Sequence, residues 1–250
     1  MSATAPRATL SAPIAGKAAE LEHLLARIAA DFSPAVLASS LSIEDMVITD
    51  AILRGGHAIE IFTLDTGRMH ADTLALVSDI QARYGYAVKV LQPLAEPVAL
   101  YIRDHGRDAF YRSVELRKRC CEIRKVEPLK RALAGRKAWL TGMRREQSTT
   151  RTELAVQAHD AVYGLEKFNP LTEWSEEDAW QYIRAFDVPY NRLYDQGYRS
   201  IGCAPCSRPV VEGEEVRAGR WWWEEPQSKE CGLHVGPDGR LVRAAAGVSA

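Results

Sequence analysis

Five cysteines define the chemistry open to this chain. Cys120 and Cys121 are adjacent, Cys203 and Cys206 frame Cys203-Ala204-Pro205-Cys206, and Cys231 stands alone in Glu230-Cys231-Gly232-Leu233-His234. Four thiolates grouped in two pairs can close around a metal centre, which leaves the fifth as a candidate nucleophile. Adjacent cysteines point their side chains apart. That suits two corners of a four-iron, four-sulfur cluster better than one tetrahedral zinc ion, with plain buried thiols as the third reading. Arg117-Lys118-Arg119 before the pair and Arg124-Lys125 after it would stabilise a cluster whose thiolates leave it at about −2. If this segment is an α-helix, Lys125 shares a face with Cys121. The competing reading is an ordinary solvated basic helix.

Cys231 at an unperturbed pKa of about 8.5 is only a few per cent thiolate at neutral pH. His234 or nearby arginines would raise that fraction, and Gly232 permits a mobile approach to a substrate. Two polar loops offer anion sites. Ser39-Ser40-Leu41-Ser42-Ile43-Glu44-Asp45 lies between a strand-like and a helical segment, where hydroxyls and free backbone N–H groups can cradle phosphate, although it lacks the glycines of a Walker loop. Gly142-Met143-Arg144-Arg145 through Arg151 carries three arginines, and Arg217 and Arg220 add two more ahead of Trp221-Trp222-Trp223. Arginine forks suit phosphate and sulfate oxygens.

These residues need a scaffold, and the hydrophobic pattern supplies one. Ala18–Ala30 reads as an amphipathic helix, 34–38 as a strand, Glu44–Arg54 as a helix ended by Gly55-Gly56, and 58–64 as a second strand running into Asp65-Thr66-Gly67-Arg68. Leu74, Val77, Ile80 and Tyr84 mark another helix, while 87–91 and 137–141 read as further strands. Strands alternating with helices imply an α/β fold with a mostly parallel sheet covered on both faces, whose ligands sit at the C-terminal strand edge. Beyond Thr152 the pattern becomes mostly helical, with a capping box at Ser175–Asp178 and Trp180, Ile183 and Phe186 on one face.

Composition narrows the classes. The chain has 250 residues, 46% of them hydrophobic, enough for one large core. A net charge of −1 gives no global attraction to nucleic acid or anionic membrane. No apolar run approaches the ~20 residues of a membrane span. Residues 1–17 read as a disordered leader rather than an export or transit signal, 18–220 as the main domain, and 221–250 as a mobile segment carrying Cys231. An odd cysteine count without an export signal points to a reducing, cytoplasmic setting.

Taken together, Ser-Leu-Ser-Ile-Glu-Asp at 40–45, Leu-Asp-Thr-Gly-Arg at 64–68, Cys-Cys-Glu-Ile-Arg-Lys at 120–125, the arginine loop at 144–151, Cys-Ala-Pro-Cys at 203–206 and Glu-Cys-Gly-Leu-His at 230–234 resemble the iron–sulfur adenylyl-sulfate (APS) reductases of assimilatory sulfate reduction. The resemblance spans roughly 31–235. It departs at Leu41, where the family commonly has an aromatic residue, and at Met143, in a loop often more basic there.

The resemblance implies a Rossmann-like adenine-nucleotide α-hydrolase fold. It implies a [4Fe-4S] cluster on Cys120, Cys121, Cys203 and Cys206, and adenosine near Ser40, Ser42 and Leu64, with Gly142 also among the substrate-binding residues. It places the phosphosulfate near Lys125, Arg144, Arg151, Arg217, Arg220 and His234. Cys231 would take the sulfonate, with Lys125 and His234 beside it. Thioredoxin or glutaredoxin would then release sulfite, for cysteine biosynthesis. No thioredoxin-like module follows in the sequence, so a separate reductant is expected, as in bacterial-type enzymes. The resemblance leaves a homo-oligomer open. The rival readings are a reductase of the 3′-phosphorylated nucleotide (PAPS), an ATP pyrophosphatase or adenylyltransferase of the same fold, and a zinc-stapled binding module.

Overall fold

The computed structural model describes residues 11–147 and 154–225. Its centre is a six-stranded sheet of order β3-β2-β1-β4-β6-β5. The strands are β1 (Ala35–Ser39), β2 (Ile59–Leu64), β3 (Lys89–Leu91), β4 (Ala138–Leu140), β5 (Gln157–Asp160) and β6 (Leu165–Phe168). Every pairing is parallel except that of β5 with β6. That short hairpin was not expected in a stretch read as mostly helical. Its polar sequences carry little period-2 signal, and β6 is recruited by pairing with β4.

Alternation along the central strands divides the core in two. Ala35, Leu37, Ile59, Ile61, Ala138 and Leu140 face one layer, with α1 (Ala12–Asp31), α2 (Ile43–Gly55), α3 (Ala71–Tyr84) and α7 (Glu176–Phe186). Val36, Phe62 and Trp139 face the other, where Leu129 and Leu133 of α6 (Glu127–Leu133) pack. Burial on both faces is why these strands read as short, nearly continuous apolar runs.

Helix α1 begins at Ala12, six residues ahead of the expected start and inside the expected leader. Pro13 lies in its first turn, where the missing N–H costs nothing, so it opens the helix instead of interrupting it. In α3 the buried side chains are Thr73, Leu76 and Ile80, while Leu74 is exposed, so the helix is rotated from the face expected. Helix α7 carries the expected capping box, with the Ser175 hydroxyl accepting from Asp178 N–H. The described start of the expected mobile segment, 221–225, is packed: Trp221 is buried.

Candidate active site

A cavity of about 220 Å³ opens above the C-terminal edge of the sheet. The ends of β1, β2 and β4 form its floor through Ser39, Thr63, Leu64 and Thr141. The serine loop closes one wall. Leu41 lies at φ 63° and is buried, an unusual conformation for a branched apolar residue, and it turns the chain from β1 into α2. Ser40 and Ser42 both line the cavity, but their donors already have a partner. Asp45 accepts the Ser40 N–H and the Ser40 hydroxyl at 2.6 Å each, and the Ser42 hydroxyl at 3.4 Å. An internal carboxylate therefore occupies part of what the sequence suggested as a phosphate cradle. Burial raises the Asp45 carboxyl to about 6, against the opposing pull of the Ser40 donors.

Gly142 stands where no side chain fits. A Cβ there would lie 2.8 Å from Glu44 Cβ and 3.0 Å from Asp45 N. The glycine thus lets the strand β4 loop press against the first turn of α2. Arg144, two residues on, does not line the cavity. Its guanidinium is buried and donates to Glu44 Oε1 at 2.9 Å and to Glu146 at 2.8 Å. Glu44 is itself buried and needs a counter-charge, which Arg144 supplies, so this arginine is brought to the loop anchor and not to the anion site.

The two cysteine pairs meet although 82 residues separate Cys121 from Cys203. Cys120 and Cys121 end α5 (Val114–Cys121), and Cys203 and Cys206 bracket a single 3₁₀ turn. All four line one small cavity, together with Arg68, Arg117, Arg124, Lys125 and Arg220. Met69 bridges to Cys203, Thr66 Oγ1 lies 3.1 Å from Cys203 Sγ, and Arg124 donates to Thr66 O at 2.6 Å. Burial raises the Cys120 thiol, with Arg124 opposing it, and pushes Cys206 up to about 12, helped by neighbouring Cys203. Among the described residues no three His, Cys, Asp or Glu side chains are arranged to grip a single metal ion.

Lys125, Arg220 and Trp221 line both cavities, so the thiol site and the larger cavity share a wall. Lys125 reaches it by a route the sequence did not suggest. Residues Glu122–Val126 form a π-helical turn, with Glu127 N–H bonded to Glu122 O, so the α-helical spacing from Cys121 does not apply. Arg220 is buried, its guanidinium 4.6 Å from the Trp221 ring and its Nε without a hydrogen-bond partner among the described residues. Arg217 lines the larger cavity. Cys231, His234 and Arg151 lie outside the described residues.

Sequence reasoning missed several participants. Asp45 and Arg68 stood in the motifs without a role of their own, Arg124 was expected only as one of several cations beside the cysteine pair, and Arg199, which lines the cavity while pairing with Glu176 at 2.6 Å, carried no signal.

Fold and site together define a nucleotide-binding α/β domain with a thiol-rich centre set against an arginine-walled cavity. The model of the phosphoadenosine phosphosulfate reductase domain matches residues 34–209, and the chain belongs to that family. It is 52% identical over 232 residues to an adenosine 5′-phosphosulfate reductase of Burkholderia cepacia, covering 93% of each chain. It is 56% identical over 222 residues to one of Neisseria meningitidis serogroup A, covering 88% of this chain and 91% of that one. Among solved structures it is similar to a phosphoadenylyl-sulfate reductase of Candida auris in phosphate complex, with a TM-score of 0.66 and 26% identity, over 81% of this chain and 99% of the other.

Proposed function

We propose that this protein reduces adenosine 5′-phosphosulfate to sulfite and AMP, with Cys231 as nucleophile and a dithiol protein of the thioredoxin or glutaredoxin type as electron donor. The observation that carries the reading is the shared wall: Lys125 and Arg220 face both the four thiols and the nucleotide-sized cavity. The relatives named for this activity cover nearly the whole chain.

The Cys231 thiolate attacks the sulfuryl sulfur, the bond from that sulfur to the bridging phosphate oxygen breaks, and AMP leaves with that oxygen. A thiolate of the donor then attacks Cys231 Sγ, and sulfite departs with the electron pair. The donor's second thiol resolves the mixed disulfide and restores Cys231. The donor loses two electrons and becomes a disulfide, while sulfate sulfur is reduced to sulfite. Lys125, Arg217 and Arg220 neutralise the charge that would otherwise keep an anionic nucleophile from an anionic substrate. His234, three residues on from Cys231 in the sequence, would assist its ionisation.

The donor set fits a [4Fe-4S] cluster. It is all sulfur, it converges from two pairs on one cavity, and arginines and Lys125 line that cavity to offset the negative charge of the thiolates. Bound there, the cluster supplies a rigid clamp and a local field, and electron supply stays with the dithiol donor. Cys120, Cys121, Cys203 and Cys206 would hold it.

The cation at the serine loop, Arg144, is already engaged by Glu44 and Glu146, and Asp45 adds a further carboxylate, which favours the nucleotide without a 3′-phosphate over PAPS. No described helix is long and apolar enough to cross a membrane, and a reducing, cytoplasmic setting is part of the same proposal. The test is a pair of steady-state assays of anaerobically purified protein with thioredoxin, one on each nucleotide, read as sulfite released. A kcat/KM for APS at least about 100-fold above that for PAPS is expected. Equal values would overturn the choice of substrate, and no sulfite from either would overturn the activity.

A further inference from the structure

Arg199 lines the nucleotide-sized cavity and takes no part in the chemistry just described. It follows the 3₁₀ turn Arg192–Gln196, whose Tyr194 is fixed to the serine loop: the tyrosine hydroxyl accepts the Ile43 N–H at 3.2 Å. Burial pushes that hydroxyl well above its ordinary range, and Glu44, Asp45 and Glu176 add to the rise, in keeping with three carboxylates on this side of the cavity. The Arg199 guanidinium is held back by one of them. Its Nη2 donates to Glu176 Oε2 at 2.6 Å, and Glu176, in the first turn of α7, does not itself line the cavity.

This pair is one end of a run of charges. Glu176 N–H donates to Glu146 Oε2 at 3.1 Å, the same oxygen accepts from Arg144 Nη1 at 2.8 Å, and Arg144 Nε donates to Glu44 at 2.9 Å. The two ends differ in what they contribute. Arg144 and Glu44 are buried and cannot part without stranding a charge. The Arg199 side chain is 44% exposed and that of Glu176 22%, so water screens their pair and it adds little to the stability of the fold. What the pair does is occupy a cation that faces a ligand cavity.

We infer that Glu176 is a positioning residue for substrate choice: by holding Arg199 it withholds the cation that a 3′-phosphate would need, so that the cavity prefers nucleotides with a free 3′-hydroxyl. The inference rests on the function proposed above, with adenosine along the serine loop and its ribose on the Arg199 side. A 3′-phosphate there, at about −2, gains a partner only by prising Arg199 from Glu176, and it then lies beside the carboxylate it displaced. A 3′-hydroxyl asks for no such exchange.

The test is calorimetric binding of two probes that differ in one group, AMP and adenosine 3′,5′-bisphosphate, to the full chain purified anaerobically with its iron. Wild type should bind AMP the more tightly. Glu176→Gln keeps the size of the side chain and loses its charge. It should tighten adenosine 3′,5′-bisphosphate about 5- to 20-fold and leave AMP within about twofold. Arg199→Ala should leave both probes within about twofold of wild type. The double variant Glu176→Gln/Arg199→Ala should lose the gain, a coupling that a merely structural role for Glu176 would not produce. Glu176→Ala gives the same readout should the Gln variant prove unstable. An unchanged ratio of the two affinities in the Glu176 variants, a gain that survives the loss of Arg199, or a wild type that prefers the bisphosphate would overturn the inference. If wild type binds AMP but releases no sulfite from either sulfonucleotide, the proposed activity fails and the binding ratios still decide the role of Glu176. If wild type binds no AMP, both fall.

Discussion

Replacing Gly202 by alanine should disable the anion site without removing any charge from it. Gly202 does not adopt a positive φ, so alanine meets no backbone strain there. The added Cβ, however, would lie 2.5 Å from Cζ of Arg220. Carbon atoms in ordinary contact sit about 3.5–4.0 Å apart, so the guanidinium must retreat by about 1 Å. Because the obstacle is the end of a long side chain, folding should suffer by less than about 1 kcal/mol. The displaced fork loses most of a charge-assisted contact worth about 1.5–3 kcal/mol, or roughly 10- to 100-fold in rate. The assay is kcat/KM for adenosine 5′-phosphosulfate at saturating thioredoxin, with iron content and thermal midpoint measured on the same sample. The expected result is that fall in kcat/KM at wild-type iron and a midpoint within a few degrees. A kcat/KM within twofold of wild type would show that Arg220 does not meet the substrate from its place on the shared wall.

The cysteines should divide their labour: Cys231→Ser keeps iron and colour and forms no sulfite, whereas Cys203→Ser loses about four irons per chain along with activity. Stoichiometric zinc and a colourless wild type would refute the cluster. Lys125→Ala should lower kcat/KM for the sulfonucleotide about 10-fold or more while iron is retained, and an unchanged value would place the phosphosulfate elsewhere. Asp45→Asn probes a raised carboxyl. The folded state holds that proton between the ordinary 3.8 and about 6, so its contribution to stability is present below about pH 4 and lost as pH rises to about 6, a swing of roughly 3 kcal/mol. The variant should therefore gain on wild type across that window in urea unfolding, and parallel curves would remove Asp45 from the account.

The residues able to do chemistry are legible in the sequence because their identity is their chemistry. Paired thiols, a lone cysteine beside a glycine and arginines in polar loops can be recognised wherever they fall. The parallel sheet was legible too, since strands buried on both faces must be short and apolar and must alternate with helices. Three-dimensional placement decided the rest. Cys121 and Cys203 share a cavity because the loop after β2 takes Arg124 on Thr66 O and is bridged to Cys203 at Met69, a contact between residues 134 apart in the chain that no local pattern encodes. Arg144 and Arg220 are the same residue type in similar loops. One turns inward to neutralise buried Glu44 and the other fronts the cavity, and only the positions of their neighbours tell them apart. Lys125 reaches the shared wall through a π-helical turn, Asp45 fills the serine loop from within, and Arg117 grips Glu224 across 107 residues. Local sequence fixes which groups can react and which segments can pair, whereas the burial of charge is settled by what lies opposite, and that is known only when the whole chain has packed.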